Sequence, residues 1–361
     1  ILLMIISTAI NGFTHLSLFG TSYRSEGLLG YLSYFVYFAL AYISSNQKLI
    51  KTFMYIFTSI AAILEIFPII DYFSESCHFS IGGAIFLFSH HNHYGYYLLI
   101  SMITAVMLFI TEKKLWLKIL FIIKFAIAVF GLLINNTFGC QLAAMVTLLF
   151  IVIVYSLHQC KFKLITLIPI TVYVITMLFG YFISDGIKLN INGNFHQMSN
   201  DTNALTDNID DVEFSTGVSR MILWENTLDY IHEKPLLGFS ADATGERLLA
   251  ASNDSDRCHN EYLNYAVSYG IPAAIFYIAG IMTIYLRGLC RRKELSQFNL
   301  IGLCVGFAYL VSAFVGNSMY YTAPFLFIML GFGYSKYSPE DENSDDNTIE
   351  NLTLSETISA E

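Results

Sequence analysis

Charge is the property this chain has least of. Only 13% of its 361 residues are Asp, Glu, Lys or Arg, about half the share usual in a soluble domain. That scarcity, with 55% hydrophobic residues and a mean hydropathy of +0.56, excludes an ordinary water-soluble globule and calls for a lipid environment. Cysteine is no guide: the six cysteines form no CxxC pair, and most lie in or beside apolar runs, where Cys behaves as a small hydrophobe. No charged region precedes the first apolar run, which is therefore not expected to be a signal peptide. The first residue is Ile, and the expectation is a chain whose first helix is cut short. Internal repeats are also lacking. The net charge of −9 owes much to the closing stretch PEDENSDDNTIENLTLSETISAE, whose low hydrophobicity and many acids read as a disordered tail.

What is present is a series of apolar runs near the length of about 20 residues that crosses a bilayer core. About ten can be marked, at roughly 1–10, 28–44, 52–70, 94–110, 115–134, 139–157, 164–183, 262–286, 297–315 and 319–334. Cations gather in alternate loops: Lys48 and Lys51; Lys113, Lys114 and Lys118; Lys161 and Lys163; Arg287, Arg291, Arg292 and Lys293; and Lys336. The short loops between carry almost none except Arg24. By the positive-inside rule the first set is cytoplasmic. The expected fold class is therefore an all-α integral membrane protein of about ten transmembrane helices. Residues 1–183 form an N-terminal bundle, 184–260 a large external loop containing short helices, 261–334 the C-terminal helices and 335–361 a disordered acidic cytoplasmic tail.

Two regions then lie outside. Within Asp71–Gly95, the stretch Ile81–Phe88 is too short to span and reads as an interfacial or re-entrant piece. In the long loop, NINGNFHQMSNDTNALTDNIDDVEFSTG reads as flexible, whereas SRMILWENTLDYIHEKPLLGFS has Met221, Trp224, Leu228 and Ile231 on one helical face. Ser219 is its expected N-cap, and Pro235 with Gly238 its stop. Such a helix lies at the membrane interface and holds Arg220 in its first turn.

Arg220, Arg247, Arg257 and His259 stand out on this external side, where the orientation signal asks for no cations. Guanidinium forks suit phosphate or diphosphate, and a histidine can take a proton from a reacting hydroxyl near neutral pH. Together they fit a lipid-linked diphosphate donor and a hydroxyl acceptor. Taken singly, each arginine reads as a headgroup anchor or solvated residue, and His259 as a helix-start residue.

The stretch from Ser219 to Ser240, followed by HNEYLNYAVSYGIPAAIFYI, resembles the core signature of the O-antigen ligase and polysaccharide polymerase superfamily: an Arg-x-x-x-Trp helix, a Pro-x-x-Gly turn, and His-Asn at the head of a membrane helix. YLVSAFVGNSMYYTAPFLFIMLG, YRSEGLLGYLSYF and HHNHYGYYL resemble further motifs of it. The resemblance implies a metal-independent and cofactor-independent membrane glycosyltransferase. Its site faces outward from the cytoplasmic (inner) membrane. Its partners would be a glycan on undecaprenyl pyrophosphate as donor, a sugar hydroxyl on a glycan or glycolipid as acceptor, and the surrounding lipids, with no nucleic acid. Arg220 would bind the pyrophosphate and His259 act as base. Arg247 and Arg257 are both candidates for a further phosphate-binding arginine, and spacing does not choose between them. Arg24 matches an arginine of the N-terminal motif, and Asn260 is carried over with His259 as a substrate-binding position. In NNTFGCQLAAM, Gln141 stands near where many members place an arginine in a middle helix, which tilts the reading toward polymerase over ligase.

Other motifs read as background. The group His90, His91 and His93, with His78 upstream, reads as an interfacial loop, since adjacent histidines on irregular backbone seldom converge on a metal. Asp254-Ser255-Asp256 reads as a polar loop, and Cys258 as a bystander. Glu65 and Lys124, in apolar runs near their ends, are either functional or snorkelling. A transporter of lipid-linked glycan is the alternative function; the missing repeat and a polar cluster at one face count against it.

Overall fold

The computed structural model describes residues 1–22, 24–44, 46–74, 88, 90–204, 216–252, 256–317 and 320–335. The acidic tail, His78, Asp254, Ser255 and most of the Ile81–Phe88 stretch lie outside the described residues, as does the side chain of Ser219. Among the described residues the structure is all-helical, without a strand. Six helices are long and apolar enough to cross a membrane: α4 (Gln47–Phe73), α5 (His91–Thr111), α6 (Leu115–Ile134), α7 (Phe138–Gln159), the helical segment Leu164–Ile183 containing α8 (Leu167–Ile183), and α13 (Ile271–Cys290). Four shorter apolar helices, α1 (Leu2–Asn11), α3 (Leu28–Ile43), α14 (Gln297–Ser312) and α15 (Ala323–Tyr334), occupy the other marked runs.

The core forms around α5, which is buried along nearly its whole length and touches α4, α6, α7 and α14. Apolar all round, it is the kind of helix that only a surrounding bundle can satisfy. Close backbone approach is built from glycine. A Cβ at Gly302 of α14 would collide with the Met329 carbonyl of α15, the small-residue contact that membrane helices favour. Leu29, Phe35, Ile60, Ile119, Ile153, Phe179 and Phe276 stand more than a third exposed on the rim, as a lipid-facing surface should.

Three expectations change. The segment expected to be flexible carries α9 (Asp185–Ala204) through its first half. Its asparagines and glycines are weak helix formers. Tertiary contacts offset this: Ile187 is fully buried, and Asn194 donates to Asn136 Oδ1 at 2.9 Å. Secondly, α10 (Thr216–Glu233) begins before Ser219 rather than after it, so Arg220 falls in its second turn. Its buried face is Leu223, Thr227 and Ile231, with Leu228 45% exposed.

Thirdly, the apolar segment 262–286 is two helices, α12 (Glu261–Tyr269) and α13, divided at Gly270. Gly270 has φ +90°, and a Cβ there would strike the Leu236 carbonyl. Hydropathy cannot register this break, because its cause is the turn after α10. Ile271 N–H donates to Pro235 O at 2.8 Å, Phe239 N–H to Val267 O at 3.0 Å, and Ser240 N–H to Ser268 O at 2.8 Å. The Pro-x-x-Gly turn is thus the clamp that fixes α10 against α12.

Candidate active site

Asn260 sets the start of α12. Its side-chain oxygen accepts from the amides of Tyr262 at 3.0 Å and Leu263 at 3.1 Å, the usual way an Asn N-cap occupies otherwise orphaned donors. Glu261 N–H donates to Ala313 O at 3.0 Å, which ties this start to the end of α14. Just before it, Cys258 is buried and its thiol donates to Asn260 O at 3.1 Å. Burial pushes that thiol up to about 11, so it holds the turn and is no thiolate. Between these two fixed residues His259 takes a left-handed φ of +49°. A non-glycine residue pays for that conformation, and its neighbours over-determine it.

The same geometry leaves His259 half-buried. Burial is the largest influence on its imidazole, followed by the positive charges of Arg220 and Arg24 and by His90, while Asp256 acts in the opposite sense. The result is a pKa lowered to about 4. The ring is neutral at physiological pH and has a free lone pair to offer. Arg220, on α10, is half-buried and within electrostatic reach of this ring. Arg24 comes from the connection between α2 (His15–Phe19) and α3, and forks onto Asp256, with Nε to Oδ2 at 3.1 Å and Nη2 to Oδ1 at 2.5 Å.

The structure therefore brings His259, Arg220 and Arg24 into one electrostatic group. The remaining candidates are placed differently. Arg257 is 2% exposed and pairs with two buried carboxylates, Glu26 Oε2 at 3.1 Å and Asp242 Oδ1. Asp242 also accepts from the Thr21 amide at 2.8 Å, so Arg257 binds the α2–α3 connection to the segment after α10. Arg247, on α11 (Gly245–Ser252), is half-exposed, pairs with Glu233 at 3.0 Å and lies over the rings of Tyr230 and Phe239. Asn260 spends its carbonyl on the cap.

Sequence reasoning missed three participants. His90 and Asp256 were background there, yet both act on His259; the available signal was that each stands just before a helix on the expected external side. Asn135 Nδ2 donates to His91 O at 2.9 Å, so the residues after α6 pin the start of α5. Gln141 turns to Leu132 O at 3.1 Å and stays inside the bundle. Glu65 and Lys124 do not snorkel: Glu65 accepts from Tyr94 OH, and Lys124 donates to Ser59 Oγ at 2.7 Å. Among the described residues no cluster of histidine, cysteine and carboxylate side chains is arranged to hold a metal.

Compared with known families, residues 79–278 match the family model described as O-antigen ligase. The chain belongs to the O-antigen ligase family. A search of curated proteins finds no match. Membership makes this a multi-pass membrane protein of glycosyltransferase type. The span that matches the O-antigen ligase family contains His90, Arg220, Arg247, Arg257 and His259, whereas Arg24 precedes it.

Proposed function

We propose that this O-antigen ligase family member transfers a glycan from undecaprenyl pyrophosphate to a sugar hydroxyl on the external side of the cytoplasmic membrane, and that it polymerises repeat units. The observation that carries the reading is the neutral, partly buried His259 grouped with Arg220 and Arg24. His259 accepts the proton of the acceptor hydroxyl as its oxygen bonds to the anomeric carbon of the donor sugar. The bond from that carbon to the diphosphate oxygen breaks, and the guanidiniums of Arg220 and Arg24 stabilise the charge arriving there. Between the arginines that sequence left open, neither Arg257, buried against Glu26 and Asp242, nor Arg247, paired with Glu233, is among the groups that act on His259. Arg24 is, with Asp256 as the partner a diphosphate would displace. We therefore give Arg24 the second phosphate contact, Arg257 and Asn260 positioning roles, and Arg247 the membrane-proximal surface.

Nothing in this centre needs a metal, because the leaving diphosphate meets fixed positive charge. The preference for polymerase rests on Gln141, which stands near the place where the resemblance to the superfamily implies an arginine in a middle helix. Reconstitution in liposomes with lipid-linked repeat units tests both points. Product chains that lengthen with time support polymerase. A single transfer onto a non-repeat acceptor would replace it with ligase, and lipid movement across the bilayer without product would overturn the enzyme reading.

A further inference from the structure

His90 is the N-cap of α5, and its Nδ1 accepts from the Asn92 amide at 3.1 Å. With Nδ1 accepting, the neutral ring carries its proton on Nε2. The ring stacks on His91 at 4.1 Å between centroids and stands 6.0 Å from His93. His93 is 1% exposed and lies against Tyr321 at 5.1 Å, and the His91 carbonyl is held by Asn135. His90 is thus fixed through its ring, its cap and its neighbour. Arg24 and Asp256 are the charged groups that act on it, and it acts in turn on His259. Helix α5 adds the positive end of its dipole at the same place.

We propose that His90 is a further positioning residue of this site: through Nε2–H it donates a hydrogen bond to a phosphate oxygen of the lipid-linked diphosphate held by Arg24. This rests on the transfer reaction proposed above. Two guanidiniums supply charge over a broad region, and a neutral N–H adds direction without adding charge. Burial, with His91 and Arg24, lowers the ring to about 4, which keeps it in the neutral form at physiological pH. Asp256 pairs with Arg24 at 2.5 Å, and a phosphate held by Arg24 would displace it.

Because His90 also caps α5, the informative variant is His90→Asn, which keeps a good N-cap and removes the imidazole Nε2. Steady-state transfer by the full chain in liposomes should show a donor KM raised about tenfold, the scale of one hydrogen bond to a charged group, with acceptor KM and thermal midpoint unchanged. Undecaprenyl diphosphate alone should bind the variant more weakly by a similar factor. His90→Asn with wild-type donor KM and wild-type diphosphate binding would overturn the proposal, as would a fall confined to kcat. If the wild-type chain makes no product, the transfer reaction fails, while diphosphate binding still reads the role of His90 separately.

Discussion

At His259 a left-handed backbone, partial burial and nearby positive charge act on one imidazole, and each has a chemical consequence. The ring's pKa lies near 4 instead of the ordinary 6.5, so the folded state resists its protonation. The corresponding stability is complete above about pH 6.5 and is lost as pH falls toward 4. Such a ring is correctly deprotonated at neutral pH yet a weak base. In the proposed reaction donor binding would change this, because diphosphate charge would offset the pull of Arg220 and Arg24 and raise the imidazole again. The acidic limb of kcat/KM for the donor should therefore sit near pH 4, and the limb of kcat at higher pH. Coincident limbs would contradict this coupling. Arg257 makes the opposite case: it is buried and pairs through Nη2 with Glu26 and Asp242. Arg257→Met leaves two buried carboxylates without their partner and should cost about 3–5 kcal/mol of stability, read as a lowered thermal midpoint. Unchanged stability with lost donor binding would reassign Arg257 to the substrate.

Among the elements, α10 and α12 carry the proposed site, and the turn after α10 holds them together by backbone hydrogen bonds to residues 267, 268 and 271. The 3.6-residue period of α10 and the Pro-x-x-Gly stop were legible in sequence. The N-cap was misplaced because the helix starts at Thr216, and a cap can be located only when its neighbours are known; on the expected face Ile231 is buried and Leu228 exposed. The division at Gly270 was not legible either: apolar content runs unbroken from Tyr262, and only contact with Leu236 requires the glycine. For the same reason the partner of Arg257 was hidden, since Glu26 lies 231 residues away. His259 and Arg220 were candidates in sequence because their residue types, expected outside from the cation pattern, had chemistry to explain, and the structure brings the two within electrostatic reach.

For the whole molecule, the apolar runs were plain from composition, and each contains a helix, six of them long enough to span. The expected orientation places the α7–α8 connection, with Lys161 and Lys163, in the cytoplasm and α11 outside. Cys160 and Cys290 are exposed and both fall on the expected cytoplasmic side. In right-side-out vesicles of a Cys77→Ser background, a membrane-impermeant maleimide should label neither until the membrane is opened. Arg247→Cys should be labelled at once. Immediate labelling of Cys160 would invert the orientation.

The central claim is that the chemistry occurs at the His259 centre. Its most direct measurement is the initial rate of glycan transfer by purified His259→Ala and wild-type protein in liposomes, at equal reconstituted amounts and with matched thermal midpoints. A general base contributes on the order of 10²–10⁴-fold, so the variant should lose at least about a hundredfold in rate while still binding undecaprenyl diphosphate. Transfer by His259→Ala at the wild-type rate would contradict the account.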